Sequence, residues 1–255
     1  MTTVNVPRRR SARVVDCRAL GASLAQIEIE GHGIGVGVQP GRFAMVHIAG
    51  LGEQILARPY SYFLRRSEDR VALLVRGVGR ASLALVAARV GDEVSLLGPL
   101  GNAFPEPPPT SWAVVGGVGS AALGGYASAG MRFLFGARTS ADAGFARALT
   151  EAGAHPAVAT DDGSMGMRGT VVDLLQRELE NTRPSAIYTC GSTGMMAAVA
   201  RVARQAALPC WVSLEARMAC GFGVCRGCVH PDASGRWRCI CEDGPVYAAE
   251  TIFAS

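Results

Sequence analysis

The chain contains no lysine; all 25 of its basic side chains are arginine. This reads as compositional bias rather than as a functional signal. Set against 21 acidic residues, the arginines leave a net charge of +4, too even to mark a nucleic-acid surface. No apolar run reaches the length of a membrane span. None follows Arg8-Arg9-Arg10 to make a secretion signal, so this basic run is expected to be a solvated tail. Histidine is scarce, and His32, His47, His155 and His230 have no metal-ligand spacing. No paired carboxylates and no nucleophile–base arrangement stand out, which argues against a catalytic acid or base. A complete G-x-G-x-x-G fingerprint is also missing.

Cysteine, by contrast, is plentiful and unevenly placed. Three of the eight fall in Cys220-Gly-Phe-Gly-Val-Cys225-Arg-Gly-Cys228, and Cys239 and Cys241 follow. C-x4-C-x2-C with a distant fourth cysteine is the ligand spacing of a plant-type 2Fe-2S cluster. Gly221, Gly223 and Gly227 allow a tight wrap that aims N–H groups at sulfur. The rival is a structural zinc site, although zinc ribbons use paired C-x2-C knuckles and this chain has one such pair. Cys239 and Cys241 are two apart and would face one side of a strand, so spacing does not choose the fourth ligand. Cys17, Cys190 and Cys210 read as small buried apolar residues. Thiols clustered as metal ligands point to a reducing, cytoplasmic compartment.

The remainder divides in two. Residues 13 to about 105 carry short alternating strands, Gln26–Glu30, Phe43–Ile48, Val71–Val75 and Glu93–Leu97, between turn residues. That pattern predicts a small antiparallel barrel. Pro105-Glu-Pro-Pro-Pro109 reads as a linker. Strands at Trp112–Val115, Met131–Phe135, Ala157–Ala159 and Ala186–Cys190 then alternate with helical stretches at Ala143–Glu151, Thr170–Glu180 and Met195–Ala206, and an Ala-rich stretch after Gly119. Such alternation predicts a parallel α/β sheet. The expected organisation is a multidomain β-barrel plus α/β chain: a barrel over 1–108, a nucleotide-binding α/β unit over 109–210, and a small cysteine module over 211–255.

Four constellations suit cofactor chemistry, and a fifth glycine-bearing segment does not. In Arg58-Pro59-Tyr60-Ser61 a guanidinium can fork a phosphate, a ring can stack on a heterocycle, and a hydroxyl can bond a ring nitrogen. Leu74-Val75-Arg76-Gly77-Val78-Gly79-Arg80 is a strand, a glycine turn and a helix start, a shape that binds pyrophosphate. Gly98-Pro-Leu-Gly101-Asn-Ala-Phe104 reads as a plain turn. Gly116-Gly117-Val118-Gly119 and Cys190-Gly191-Ser-Thr-Gly-Met195 stand at strand-to-helix switches, where a doubly wound sheet forms its ligand crevice. Met195 and Met196 read as packing residues.

Barrel, Arg-Pro-Tyr-Ser, then an α/β unit with glycine-rich and Cys-Gly loops: this order resembles the ferredoxin–NADP reductase superfamily. Ser213-Leu-Glu-Ala-Arg217-Met-Ala-Cys220 with Cys241-Glu-Asp-Gly-Pro-Val-Tyr247, and Thr160-Asp-Asp-Gly-Ser164 with Gly169, make the chain similar to electron-transfer subunits of type B dihydroorotate dehydrogenase. The resemblance implies FAD on the barrel, held by Arg58, Pro59, Tyr60, Ser61, Leu74, Val75, Arg76, Gly79 and Arg80. It implies NAD at Gly116, Gly117, Gly119, Cys190 and Gly191, and a 2Fe-2S cluster on Cys220, Cys225, Cys228 and Cys241, the last favoured because it directly precedes the acidic Gly-Pro stretch. It also implies an FMN-containing catalytic partner in a heterotetramer, with Phe222 and Val224 as contact candidates if they do not pack within the module. Departures fall at Arg80, where the family usually has Thr, at Ala122, usually Pro, and in the 190–195 loop, usually Cys-Gly-Pro-x-Pro-Met. The alternatives are a reductase subunit of a different complex, sulfite reductase- or hydrogenase-like, and a zinc-stabilised binding module without enzymatic activity.

Overall fold

The structure, a computed structural model, describes residues 7–48 and 56–254. Residues 1–6 and 49–55 of the expected barrel unit and residue 255 of the cysteine module lie outside the described residues. Strands β1 (Arg8–Gly21), β2 (Leu24–Glu30), β3 (Phe43–Ile48), β4 (Arg58–Arg65), β5 (Arg70–Arg76) and β6 (Glu93–Leu100), with helix α1 (Arg80–Val86) between the last two, form the first unit. They close as a six-stranded antiparallel barrel in the order β1-β2-β5-β4-β3-β6. Alternation sets its two faces. Ile27, Ile29, Val71, Leu73 and Val75 fill the interior with Leu85 of α1. Ala72, Leu74 and Phe63 point outward into a second core shared with the sheet.

Two sequence expectations change here. Arg8–Arg10 is not a solvated tail: it opens β1 and pairs antiparallel with Leu96–Gly98 of β6 to close the barrel, and Arg10 donates to the Gly98 carbonyl at 3.1 Å. Nor is Gly98–Phe104 a plain turn. β6 runs through Leu100, and Asn102 beyond it donates to Val246 O at 2.9 Å and accepts from Val246 N–H at 2.8 Å. Both partners are distant in sequence, so local turn residues dominated the reading.

The second unit begins with β7 (Trp112–Gly116), a helical segment of 3-10 winding over Gly117–Ala129, β8 (Arg132–Ala137), α2 (Gly144–Glu151), β9 (Ala157–Thr160), β10 (Met167–Arg168), α3 (Val171–Leu179), β11 (Ile187–Cys190), α4 (Thr193–Gln205) and β12 (Cys210–Ser213). The chain then leaves the sheet for the cysteine loop, β13 (Val229–Pro231), β14 (Trp237–Cys239) and α5 (Ile240–Asp243), and returns with β15 (Val246–Ala248) and α6 (Ala249–Ile252). The sheet order is β10-β9-β8-β7-β11-β12-β15. Its strands are parallel except for β15, which runs antiparallel to β12. The segment over 211–255 thus shares strands with the sheet and is an excursion from its edge. One core joins Phe43, Met45 and Leu100 of the barrel to Leu214, Cys228, Cys239, Ile240 and Cys241. Among the described residues no helix is long and apolar enough to cross a membrane.

Candidate functional site

Strand order reverses at β7, with β8 on one side and β11 on the other. A crevice must open there, because the connections leave in opposite directions. A cleft of about 710 Å³ lies at these strand ends, lined by Gly116, Gly117, Gly119, Arg138, Asp161 and Gly191 among others. Close approach explains the glycines. A Cβ on Gly119 would fall 2.6 Å from the Cys190 carbonyl oxygen, and one on Gly116 would fall 2.7 Å from Met195 Sδ. Four of the five expected residues line this cleft. Cys190 does not: it is buried in the core shared with the barrel, and burial, aided by the Glu215 charge, pushes its thiol well up. Met195 lines the cleft and Met196 is buried. The sequence reading missed Arg138, Asp142 and Asp173 on the other rim, and quoted Asp161 only within a family-like motif. The signal for Asp173 was present, since Thr170 and Asp173 form a capping box at the start of α3.

A second cavity, of about 250 Å³, lies between barrel and sheet. Pro59, Tyr60, Ser61, Leu74 and Arg76 line it, joined by Phe43, Val118, Ser213, Leu214, Glu215 and Met218. Burial pushes the Tyr60 phenol up to about 12, against the pull of the nearby Arg58 cation, so its hydroxyl keeps its proton at neutral pH. Arg58 is exposed at the start of β4 and donates to the Leu56 and Ala57 carbonyls at 3.1 and 3.3 Å. Val75 does not line the cavity; strand alternation turns it into the barrel interior. Gly79 caps α1 beyond Val78, which does line the cavity, and Arg80 follows on the exposed surface. The N–H groups of Val78 and Gly79 both donate to Ser82 Oγ, at 2.9 and 3.0 Å. The contribution of residues 213–218 to this wall was not foreseen, because the motif Ser213–Met218 was read only as the approach to the cysteines.

The cysteine loop wraps with Gly221 at φ +84° and Gly223 at φ +87°, conformations that L side chains rarely adopt. Backbone donors reach the sulfurs: Gly223 N–H to Cys241 at 3.1 Å, Cys225 N–H to Cys220 at 3.5 Å, Gly227 N–H to Cys225 at 3.4 Å, and Cys241 N–H to Cys228 at 3.4 Å. Burial opposes ionisation of Cys220, but N–H donation from Cys225, Phe222 and Val224 and the Cys225 thiol together bring it down to about 6. Cys228, Cys239 and Cys241 are buried, with their sulfurs within 4.8 Å of one another. The Tyr247 hydroxyl is buried and has no hydrogen-bond partner among the described residues; burial, and then the Asp243 carboxylate, push its phenol up. Donors gathered around thiols, and a buried hydroxyl left over, fit a sulfur-ligated group carrying negative charge. Phe222 and Val224 stand 49% and 75% exposed, so both present apolar surface to solvent.

Comparison with known proteins agrees with this geometry. The sequence profile of the iron–sulfur cluster binding domain of dihydroorotate dehydrogenase B matches residues 215–253. The electron transfer subunit of dihydroorotate dehydrogenase B (NAD(+)) from Desulforamulus reducens is 33% identical over 82% of this chain and 84% of its own. The corresponding subunit from Geobacillus thermodenitrificans is 31% identical over 96% and 98%. The chain belongs to this family of electron transfer subunits. Among solved structures, one described as an NADH-dependent reduced ferredoxin-NADP oxidoreductase superposes with a TM-score of 0.84 at 26% identity, covering 94% of this chain and 89% of the other. The ferredoxin reductase of carbazole 1,9a-dioxygenase shares the fold, with a TM-score of 0.67 at 24% identity over 80% and 67% of the two chains. The family profile speaks for iron–sulfur over zinc at the cysteine loop.

Proposed function

We propose that this family member carries electrons from dihydroorotate oxidation, performed by an FMN-containing partner subunit, to NAD+ in pyrimidine biosynthesis. The observation that carries the reading is the cysteine loop packed against the wall of the barrel–sheet cavity, through the core that unites Phe43, Leu214 and Cys228. When bound, a 2Fe-2S cluster supplies one-electron transfer, and FAD couples single electrons to the hydride that nicotinamide exchanges.

The chain's own residues position and exclude. Cys220, Cys225, Cys228 and Cys241 would hold the cluster, with the N–H groups of residues 223, 225, 227 and 241 offsetting its charge. Tyr60, Ser61, Leu74 and Arg76 would seat the flavin ring. The cavity is smaller than the roughly 300–1,000 Å³ of a whole small-molecule site, so the rest of FAD would lie along the rim, where Arg58, Gly79 and Arg80 stand. Gly116, Gly117, Gly119 and Gly191 would admit the nicotinamide nucleotide. Glu215 and Arg76 line both cavities and so border the hydride path. This assigns flavin to 1–108, nicotinamide to 109–210 and the cluster to 211–255. The partner would dock over the exposed Phe222 and Val224 in a heterotetramer. Eight cysteines without a disulfide support a reducing, cytoplasmic setting.

The test is a visible spectrum of the anaerobically purified chain, with iron and sulfide analysis, before and after NADH. Flavin bands and an iron–sulfur shoulder that bleach with NADH are expected, as is dihydroorotate-dependent NAD+ reduction once the catalytic subunit is added. A colourless protein after cofactor reconstitution overturns the reading. The superposition on the NADH-dependent ferredoxin-NADP oxidoreductase favours one other reading, the same relay serving a different partner. Bleaching by NADH with no complex formed with a dihydroorotate-oxidising subunit would select it.

A further inference from the structure

The cysteine pocket contains one thiol more than a 2Fe-2S cluster needs. Cys239 is 3% exposed. Its sulfur lies 3.7 Å from Cys228 Sγ and 3.8 Å from Cys241 Sγ. Two thiolates at about 2.3 Å from one tetrahedral ion stand about 3.8 Å apart by geometry. Cys239 is therefore at co-ligand distance from both of its neighbours without rearrangement. The backbone keeps it there: Cys239 N–H donates to Asp243 Oδ2 at 2.7 Å, and Ile240 N–H donates to the Cys228 carbonyl at 3.0 Å. The junction of β14 and α5, which bears Cys239 and Cys241, is thus tied to Cys228 just before β13.

The two candidates for the last ligand position differ in their surroundings. Cys241 Sγ accepts an N–H from Gly223 at 3.1 Å, whereas the hydrogen-bonding contacts of Cys239 Sγ are the other two thiols. Cys220, Cys225 and Cys228 each accept a backbone N–H at sulfur as Cys241 does, so Cys241 shares the surroundings of the other three ligands and is the resting one. Resting on the proposed cluster function, we propose that Cys239 is a reserve ligand, able to replace Cys241 at the metal position held together with Cys228. The exchange is redox-neutral. Cys239 gives up its thiol proton as its sulfur–metal bond forms, and Cys241 takes up a proton as its bond breaks. Loss or alkylation of Cys241 then alters the cluster instead of destroying it.

The test compares full-length wild type, C239A, C241A and C239A/C241A, each produced with its cofactors under anaerobic conditions. Alanine is used because serine oxygen can itself ligate iron. The readouts are iron and sulfide per chain, the EPR spectrum of the reduced cluster, and flavin content as a check on folding. C239A should match wild type. C241A should keep most of its iron and sulfide, with a displaced EPR spectrum, and the double variant should lose both. A C241A protein that keeps its flavin but is as iron-free as the double variant overturns the proposal. Where C241A loses flavin as well, Cd2+ added to cluster-free wild type and C239A decides. A weaker thiolate-to-cadmium charge-transfer band in C239A supports the reserve ligand, and an equal band overturns it. If wild type itself takes up no iron, the cluster reading fails instead, and the cadmium comparison still judges Cys239.

Discussion

The two cavities are built in opposite ways. The cleft at the strand ends is assembled almost wholly from one unit: glycine-bearing turns after β7 and β11, the ends of β8 and β9, and the start of α3. The smaller cavity draws one wall from the barrel, a second from the 3-10 segment at Val118 and Ala121, and a third from residues 213–218 beside the cysteine loop. A local turn forms wherever its own residues permit, so the cleft should tolerate damage elsewhere. A cavity with three walls exists only while all three are docked.

The largest expected effect comes from separating those walls. Gly124 sits where the 3-10 segment meets β4; a Cβ there would fall 2.1 Å from the Phe63 ring and 2.6 Å from its carbonyl oxygen. G124V should cost about 3 kcal/mol or more and strip flavin from the protein, measured by flavin content and thermal melting. Asn102 comes next. N102A leaves the N–H and carbonyl of Val246 without their side-chain partner, a loss of about 1–3 kcal/mol. It should weaken flavin and iron retention together, because Pro245 and Ser213 line the cavity beside the cysteine module. Equal retention of both cofactors would show that the third wall docks without this staple.

G119A is the converse lesion. Its Cβ meets the Cys190 carbonyl and should part the ends of β7 and β11 at about 1–3 kcal/mol. NADH should then bind at least about tenfold more weakly, as 1.4 kcal/mol corresponds to a factor of ten, with flavin and iron content unchanged. Loss of flavin in G119A would mean that the two sites are not separable. The smallest effect belongs to the Arg76–Asp142 ion pair, 3.0 Å long and partly exposed at 38% and 27%, which links the barrel to the rim of the cleft. D142N should change stability by no more than about 1 kcal/mol, and the difference from wild type should shrink as salt is raised.

The same contrast governs what could be read in advance. The strands of the barrel and sheet were legible from alternation, and the cleft glycines from their place between an apolar strand and a helix. Val75 was named with its neighbours as a flavin contact, whereas its side chain faces the barrel interior, because alternation along β5 follows register. Arg8–Arg10, Asn102 and Ser213–Met218 were misread or overlooked because each has its partners far along the chain, and only closure of the barrel and return of β15 bring those partners near.

By itself the sequence determined the chemistry: which residues are thiols, where glycine permits a backbone turn around sulfur, and where a strand ends in a glycine-bearing loop. These depend on residue type and short spacing, and so on local geometry. Tertiary structure decided which of those groups meet. It placed the cysteine loop against the barrel–sheet cavity, buried Cys190 away from the cleft, and brought Cys239 within 3.7 Å of Cys228 and 3.8 Å of Cys241. Burial of apolar faces sets such meetings over long stretches of chain, and no local spacing records them.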